Sequence, residues 1–130
     1  MKFDTLSFIS KLVRFRSVSA DSAKASETRA CAEFLNAEFV SRGFESSLLE
    51  TSKNPVVFAR RACASGAPKV RVLCYGHYDV QPAEPLEKWN TEPFEPTIKD
   101  GKIWGRGTAD NKGPSSCMLA GLFNFLAENP

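Results

Sequence analysis

Gly76-His77-Tyr78-Asp79-Val80, which directly follows the apolar run Val70-Arg71-Val72-Leu73-Cys74-Tyr75, is the stretch on which the fold turns. The run is short and rich in β-branched and aromatic residues, so it predicts a buried strand. It stops at a glycine and then presents His-x-Asp, which puts polar groups at a strand's carboxyl end. Open α/β sheets gather ligand sites at that edge. Side chains alternate along a strand, so His77 and Asp79 are expected on the same side. An imidazole beside a carboxylate suits a metal ligand with the partner that orients it. It equally suits a hydrogen-bonded histidine with no ligand role. His77 is the only histidine of the 130 residues.

Upstream, Phe3, Leu6, Ile9, Leu12 and Val13 recur at helical spacing and predict an amphipathic helix over 4–15 with Asp4 as N-cap. Ser17 to Ala25 is small and polar and reads as a loop. A second helix is expected from Ala23 to Arg42, with Cys31, Phe34, Leu35 and Phe39 as its apolar stripe and Gly43 ending it. Weak and better strands follow at Phe44–Leu49 and Val56–Arg60, and 64–68 reads as a connector.

Downstream, Gln81 to Glu95 is long and proline-rich, and segments of that length are functional or disordered. Asp100-Gly101 between Thr97-Ile98-Lys99 and Lys102-Ile103-Trp104 signals a hairpin. A glycine-rich loop, 105–113, leads to a last helix opened by Pro114. Its predicted apolar face is Cys117, Met118, Leu122, Phe123 and Leu126, and its end is near Glu128. Helices, then strands, then a helix make the chain α/β, with a sheet of mixed direction.

Composition limits the function classes. The net charge of +2 is spread along the chain, so no basic face marks a nucleic-acid or membrane partner. No apolar stretch is long enough to span a bilayer, and polar residues interrupt the N-terminus where a signal peptide would be apolar; cytoplasmic residence is the expectation. The four cysteines form no C-x-x-C pair, which argues against a cysteine zinc site. Cys31, Cys74 and Cys117 read as small buried residues.

The glycine-rich loop fails both phosphate tests. A dinucleotide fingerprint needs a third glycine where Asp110 stands, and a P-loop needs Ser or Thr where Gly113 follows Lys112. Asp110, just before a helix, fits a plain turn or a hard oxygen ligand.

Together, Gly76-His77-Tyr78-Asp79-Val80-Gln81-Pro82, Trp89 with Pro93-Phe94, Asp100-Gly101, and Gly105-Arg106-Gly107-Thr108-Ala109-Asp110-Asn111-Lys112-Gly113 resemble the M20 metallopeptidases. Within them the likeness is to the dipeptidase branch of carnosine and Xaa-His dipeptidases, and it runs from the first helix to the last residue. It implies that 1–130 is the N-terminal segment of a mixed-sheet, aminopeptidase-like zinc-peptidase catalytic domain. By the resemblance, His77 is a ligand of one zinc, Asp79 is the catalytic-site carboxylate that holds the imidazole, and Asp110 bridges two zinc ions; cobalt or manganese are alternatives. Such a bridge suits ions roughly 3.5–4 Å apart. It further implies a cis Asp110-Asn111 peptide, a dipeptide or small-peptide substrate and a homodimeric complete enzyme.

The family also needs a glutamate pair, another carboxylate, a second histidine and an inserted lid and dimerisation domain, all expected beyond Pro130. The chain alone is therefore expected to be inactive, to bind zinc weakly, and to expose apolar faces around Leu122 and Phe125 or at a sheet edge, with self-association. The alternatives are a non-catalytic fragment or a small binding module in which His77 is structural.

Overall fold

Asp4 accepts a hydrogen bond from the Ser7 amide and so caps α1, Thr5–Arg14, as its side-chain chemistry predicts. The computed structural model describes residues 2–62 and 70–129; Cys63 and the 64–68 connector lie outside the described residues. A 3-10 turn, Ser22–Lys24, leads into α2, Ala25–Val40. Gly43, at φ 77°, lets the chain reverse there, with the Phe44 amide bonded to the Phe39 carbonyl.

Strands β1, Glu45–Leu49, and β2, Val56–Arg60, pair antiparallel from Glu45 opposite Arg60 to Leu49 opposite Val56. Their side chains alternate, one face half-buried towards α2 and the other in solvent. Strands β3, Thr97–Lys99, and β4, Lys102–Trp104, form the expected hairpin. Asp100 and Gly101 both take positive φ, as the favoured two-residue turn demands. The last helix, α3, is Lys112–Glu128.

The core lies between the three helices, with α1 packed on α3. Phe8, Leu12, Cys31, Leu119 and Phe123 are buried at its centre. Phe3, Phe39 and Phe44 surround Phe123 with ring centroids 5.3–5.9 Å apart, in edge-on contacts that aromatic rings favour. A fully buried side chain such as Phe8, Leu12 or Phe123 contributes roughly 1.5–3 kcal/mol by leaving water, and the half-buried Phe3, Phe39 and Phe44 less.

Several expectations are corrected. In α1, Phe8 faces the core and Leu6 faces out. In α3 the inward row is Lys112, Ser116, Leu119, Ala120 and Phe123, so Cys117 is exposed. That helix is apolar on most sides, so periodicity alone could not choose its inner face. Cys74 is also exposed.

The largest correction concerns Val70–Tyr75, which pairs with no strand among the described residues. Leu73 is 90% and Tyr75 85% exposed. An all-apolar strand needs neighbours at its edges and layers on its faces, and none of the described elements lies against it. The described sheets are two separate antiparallel pairs; apart from both, an isolated parallel bridge links Val18 to Val80. Exposed apolar surface is present where expected at Phe125, and also at Val56 and Phe58.

The three described cysteines should differ sharply in reactivity. Cys31 is fully buried, and burial pushes its thiol from 9.0 up to about 11. The thiolate is the nucleophile, so an upward shift of that size alone slows Cys31 by about 100-fold. Pulse labelling with a thiol reagent, read by mass spectrometry, is expected to modify Cys74 and Cys117 and spare Cys31 until the protein is unfolded. Equal labelling of all three in the native protein would contradict the packing.

Candidate metal centre

Two loops bring the candidate residues together. The first follows Val70–Tyr75 and carries His77 and Asp79. Its backbone is held against the segment after α1: the Val80 amide donates to the Ser17 carbonyl at 2.9 Å, and the Ser17 hydroxyl donates to the Tyr78 carbonyl at 2.7 Å. Tyr78 itself turns inward, and its hydroxyl donates to the Pro55 carbonyl. Burial pushes the Tyr78 phenol up to about 12. With Tyr78 anchored, the residues on either side of it are left on the opposite side, towards solvent.

The second loop, 105–111, carries Asp110 to the start of α3. Gly107 sits at φ 92°, and a Cβ there would lie 2.8 Å from Val80 and 3.0 Å from Lys112. Glycine is required both by conformation and by space. Arg106 ties the loop down: its amide donates to the Pro93 carbonyl at 2.6 Å and its guanidinium to the Pro82 carbonyl at 2.8 Å. The guanidinium also lies 5.0 Å from the centroid of Trp89, whose indole N–H donates to the Ala83 carbonyl at 2.8 Å.

Lys112 fixes the loop from the other end. Its side chain is 1% exposed, and Nζ donates at 2.8 Å to both the Leu12 and the Phe15 carbonyls at the end of α1. The Leu12 carbonyl also accepts from the Phe15 amide that caps the helix, and both carbonyls lie at the helix's negative end. Burial nevertheless lowers the Lys112 pKa from 10.5 to about 8.

The result is a cleft of about 330 Å³ lined by His77, Asp79, Trp89, Trp104, Arg106 and Asp110, among others. His77 Nε2 lies 3.0 Å from Asp110 Oδ1. On the other side of the ring, Nδ1 lies 3.1 Å from Asp79 Oδ1 and 3.2 Å from the Asp79 carbonyl. The second Asp79 oxygen, Oδ2, accepts from the Ser19 hydroxyl. The Asp110-Asn111 peptide is cis. All three sequence-predicted site residues thus meet in one place, although 33 positions separate His77 from Asp110.

The donors fit a divalent metal in kind. An imidazole nitrogen and a carboxylate oxygen 3.0 Å apart are a few tenths of an ångström closer than two ligands on a tetrahedral ion at bond lengths of about 2.0–2.2 Å, a gap that a small side-chain movement opens. They fall short in number: among the described residues no group of three or more His, Cys, Asp or Glu side chains could hold a metal. Asp79 stands behind the imidazole. A larger hollow of about 490 Å³, between the start of α1 and the end of α3, is lined by no histidine or cysteine.

Sequence reasoning missed Ser17, Ser19 and the role of Lys112. A lysine in the first turn of a helix opposes the helix's own dipole, which was the available signal that Lys112 serves another element. Ser17 to Ser19 is too short a strand-like piece to be distinguished from a loop.

Residues 73–130 match the model of peptidase family M20/M25/M40. The M20 likeness extends through the rest of the chain. Over 128 residues the chain is 35% identical to a succinyl-diaminopimelate desuccinylase of Thiobacillus denitrificans, covering 98% of this chain and 30% of that protein. An M20 family metallo-carboxypeptidase of Sulfolobus solfataricus superposes with a TM-score of 0.86 at 30% identity, over 98% of this chain and 28% of that one. A di-peptidase of Saccharomyces cerevisiae gives 0.73 at 30% identity, over 89% and 28%. Human carnosine dipeptidase 1 gives 0.81 at 26% identity, over 95% and 28%. The α/β fold matches part of the M20 family metallo-carboxypeptidase and of carnosine dipeptidase 1. The chain spans under a third of the length of these relatives.

Proposed function

We propose that this chain is the N-terminal segment of the catalytic domain of a metal-dependent M20 peptidase that hydrolyses dipeptides, and that it carries half of a two-zinc site. The observation that carries this is the meeting of His77 Nε2 with Asp110 Oδ1 at 3.0 Å in the mouth of a cleft, with the Asp79 carboxylate behind Nδ1. In the proposal His77 and Asp110 hold metal, and Asp110 is shared between two ions. Asp79 keeps the imidazole proton on Nδ1, so that Nε2 offers its lone pair to the cleft. The bound metal would supply a water activated at neutral pH and polarise the scissile carbonyl. Trp89, Trp104 and Arg106 line the adjoining wall, where a small peptide would lie. The general base and the remaining ligands, the lid and dimerisation domain, and a homodimeric state belong to the proposed complete enzyme.

The similarity to a desuccinylase, a carboxypeptidase and two dipeptidases supports amide-bond hydrolysis more firmly than any one substrate. The test uses both this chain and the complete enzyme. With excess zinc, cobalt or manganese, the purified chain is expected to show no turnover of dipeptides, Xaa-His included. A missing general base alone typically costs 10²–10⁴-fold. Turnover that vanishes in His77→Ala and Asp110→Ala would show the chain competent alone and overturn the half-site proposal. The complete enzyme is expected to cleave dipeptides and to lose this with His77→Ala. If it instead cleaves only N-succinyl amino acids, the substrate assignment moves to the desuccinylase type.

A further inference from the structure

The Ser17-Val18-Ser19 segment is held against the His77 loop more tightly than a connector requires. The parallel bridge of Val18 to Val80 sets its register. Ser17 contacts the chain on both sides of Asp79: its hydroxyl reaches the Tyr78 carbonyl and its carbonyl accepts from the Val80 amide. The Asp79 backbone therefore has little freedom. Its side chain is then gripped at both oxygens, Oδ1 by the imidazole and Oδ2 by the Ser19 hydroxyl. Ser17 is buried, but Ser19 is exposed. The Ser19 hydroxyl thus has little packing role; its one described side-chain hydrogen bond is to the carboxylate that orients the candidate ligand.

We infer that Ser19 is a positioning residue of the site, acting through Asp79 to set the orientation and tautomer of His77. This inference rests on the proposed roles of His77 and Asp79. A carboxylate with one oxygen free can rotate about χ2, which for this side chain is a broad torsion. With the Ser19 hydroxyl on Oδ2, the plane of the carboxylate is fixed and Oδ1 stays in line with Nδ1. The proton then stays on Nδ1 and Nε2 faces Asp110 as a donor atom. Without the hydroxyl, Asp79 samples other rotamers, and Asp110 Oδ1 competes from the far side for the same ring proton.

Ser19→Ala and Ser19→Thr are the variants, the second restoring the hydroxyl. The first readout needs no metal. His77 is the only histidine, so the ring nitrogen shifts in ¹⁵N NMR report it without assignment. Above the pH at which the ring is neutral, Ser19→Ala is expected to move the tautomer ratio towards Nε2–H by about threefold or more, and Ser19→Thr to restore it. The second readout is cobalt(II) titration by visible absorption. Ser19→Ala is expected to weaken binding by about 10-fold, within the 10–100-fold typical of partners that orient metal ligands, with an altered ligand-field spectrum. The thermal midpoint should not move, because the hydroxyl is exposed. A wild-type tautomer ratio in Ser19→Ala would overturn the inference, as would a changed ratio that Ser19→Thr fails to restore. If cobalt binding survives His77→Ala, the metal proposal fails instead, and the metal-free tautomer ratio still decides the role of Ser19.

Discussion

Replacing His77 by alanine is expected to weaken divalent-metal binding by at least about 100-fold, leaving only the background of scattered surface carboxylates. Asp110→Ala should do the same, because these are the two donors that meet at 3.0 Å. Asp79→Ala should cost less, about 10–100-fold, since it orients a ligand without being one. A 100-fold loss corresponds to about 2.7 kcal/mol. The order of effects is the informative part: His77 and Asp110 first, Asp79 next, with control carboxylates such as Asp21 near zero. Calorimetric titration with zinc, repeated with cobalt, checks it. Metal binding that is the same in His77→Ala and the wild type would remove the metal-centre proposal and leave His77 as a histidine hydrogen-bonded between two aspartates.

Lys112→Met is expected to destabilise the fold by about 2 kcal/mol at pH 7, and by more at pH 9. Methionine fills most of the space of the lysine stem but offers no donor, so the Leu12 and Phe15 carbonyls lose Nζ. The Leu12 carbonyl keeps the Phe15 amide at 3.2 Å, so the Phe15 carbonyl is the acceptor that loses its described partner, and an acceptor left unpaired out of water costs about 1–3 kcal/mol. Part of that is offset at pH 7, because methionine has no charge to strip of water. The pH dependence follows from the shift. Lys112 titrates at about 8 in the folded protein against an ordinary 10.5, so between those values the unfolded chain binds more protons than the native one. Stability conferred by Lys112 therefore rises with pH across that window, by up to about 1.4 kcal/mol per pH unit. The negative end of α1 favours the charged form and blunts the rise.

Cys31 acts in the opposite sense. Its folded value of about 11 lies above the ordinary 9.0, so the native state keeps a proton that the unfolded chain gives up, and stability falls from pH 9 to 11. Lys112 holds the Cys31 value down, so Lys112→Met raises it further, but at about 11 or above Cys31 stays protonated in both folded proteins at pH 9; the difference between wild type and Lys112→Met in urea titrations at pH 7 and pH 9 therefore reports chiefly the lysine. Parallel stability curves for the two proteins would show that Nζ does not hold the end of α1.

Local chemistry made much of this chain legible. Asp4 before an apolar period of three to four, Gly43 after one, and Asp100-Gly101 between two β-rich triplets each have one favoured backbone solution, and each was found there. The order of His77, Asp79 and Asp110 among glycines and prolines carried the M20 likeness and, with it, the candidate site. What failed were inferences about which side of an element faces inward. Helix α3 offers apolar residues all round, and its inner face is chosen by Lys112 reaching α1 and by Phe123 entering the aromatic cluster. Val70–Tyr75 has the composition of a central strand, yet a strand is defined by its neighbours, and none of the described elements pairs with it.

By itself, then, the sequence determined the helix caps, the hairpin turn and the identity of the two loops that carry donors, because these depend on contacts between residues a few positions apart. Only the tertiary structure decided that the ends of those loops meet. It brought His77 to Asp110 across 33 positions, laid Ser19 on Asp79 across 60, and joined Lys112 to the last turn of α1 across 97 to 100. Such contacts leave no periodic trace in the chain. They arise when α1 and α3 bury their apolar faces together and the polar groups at their ends must find partners out of water.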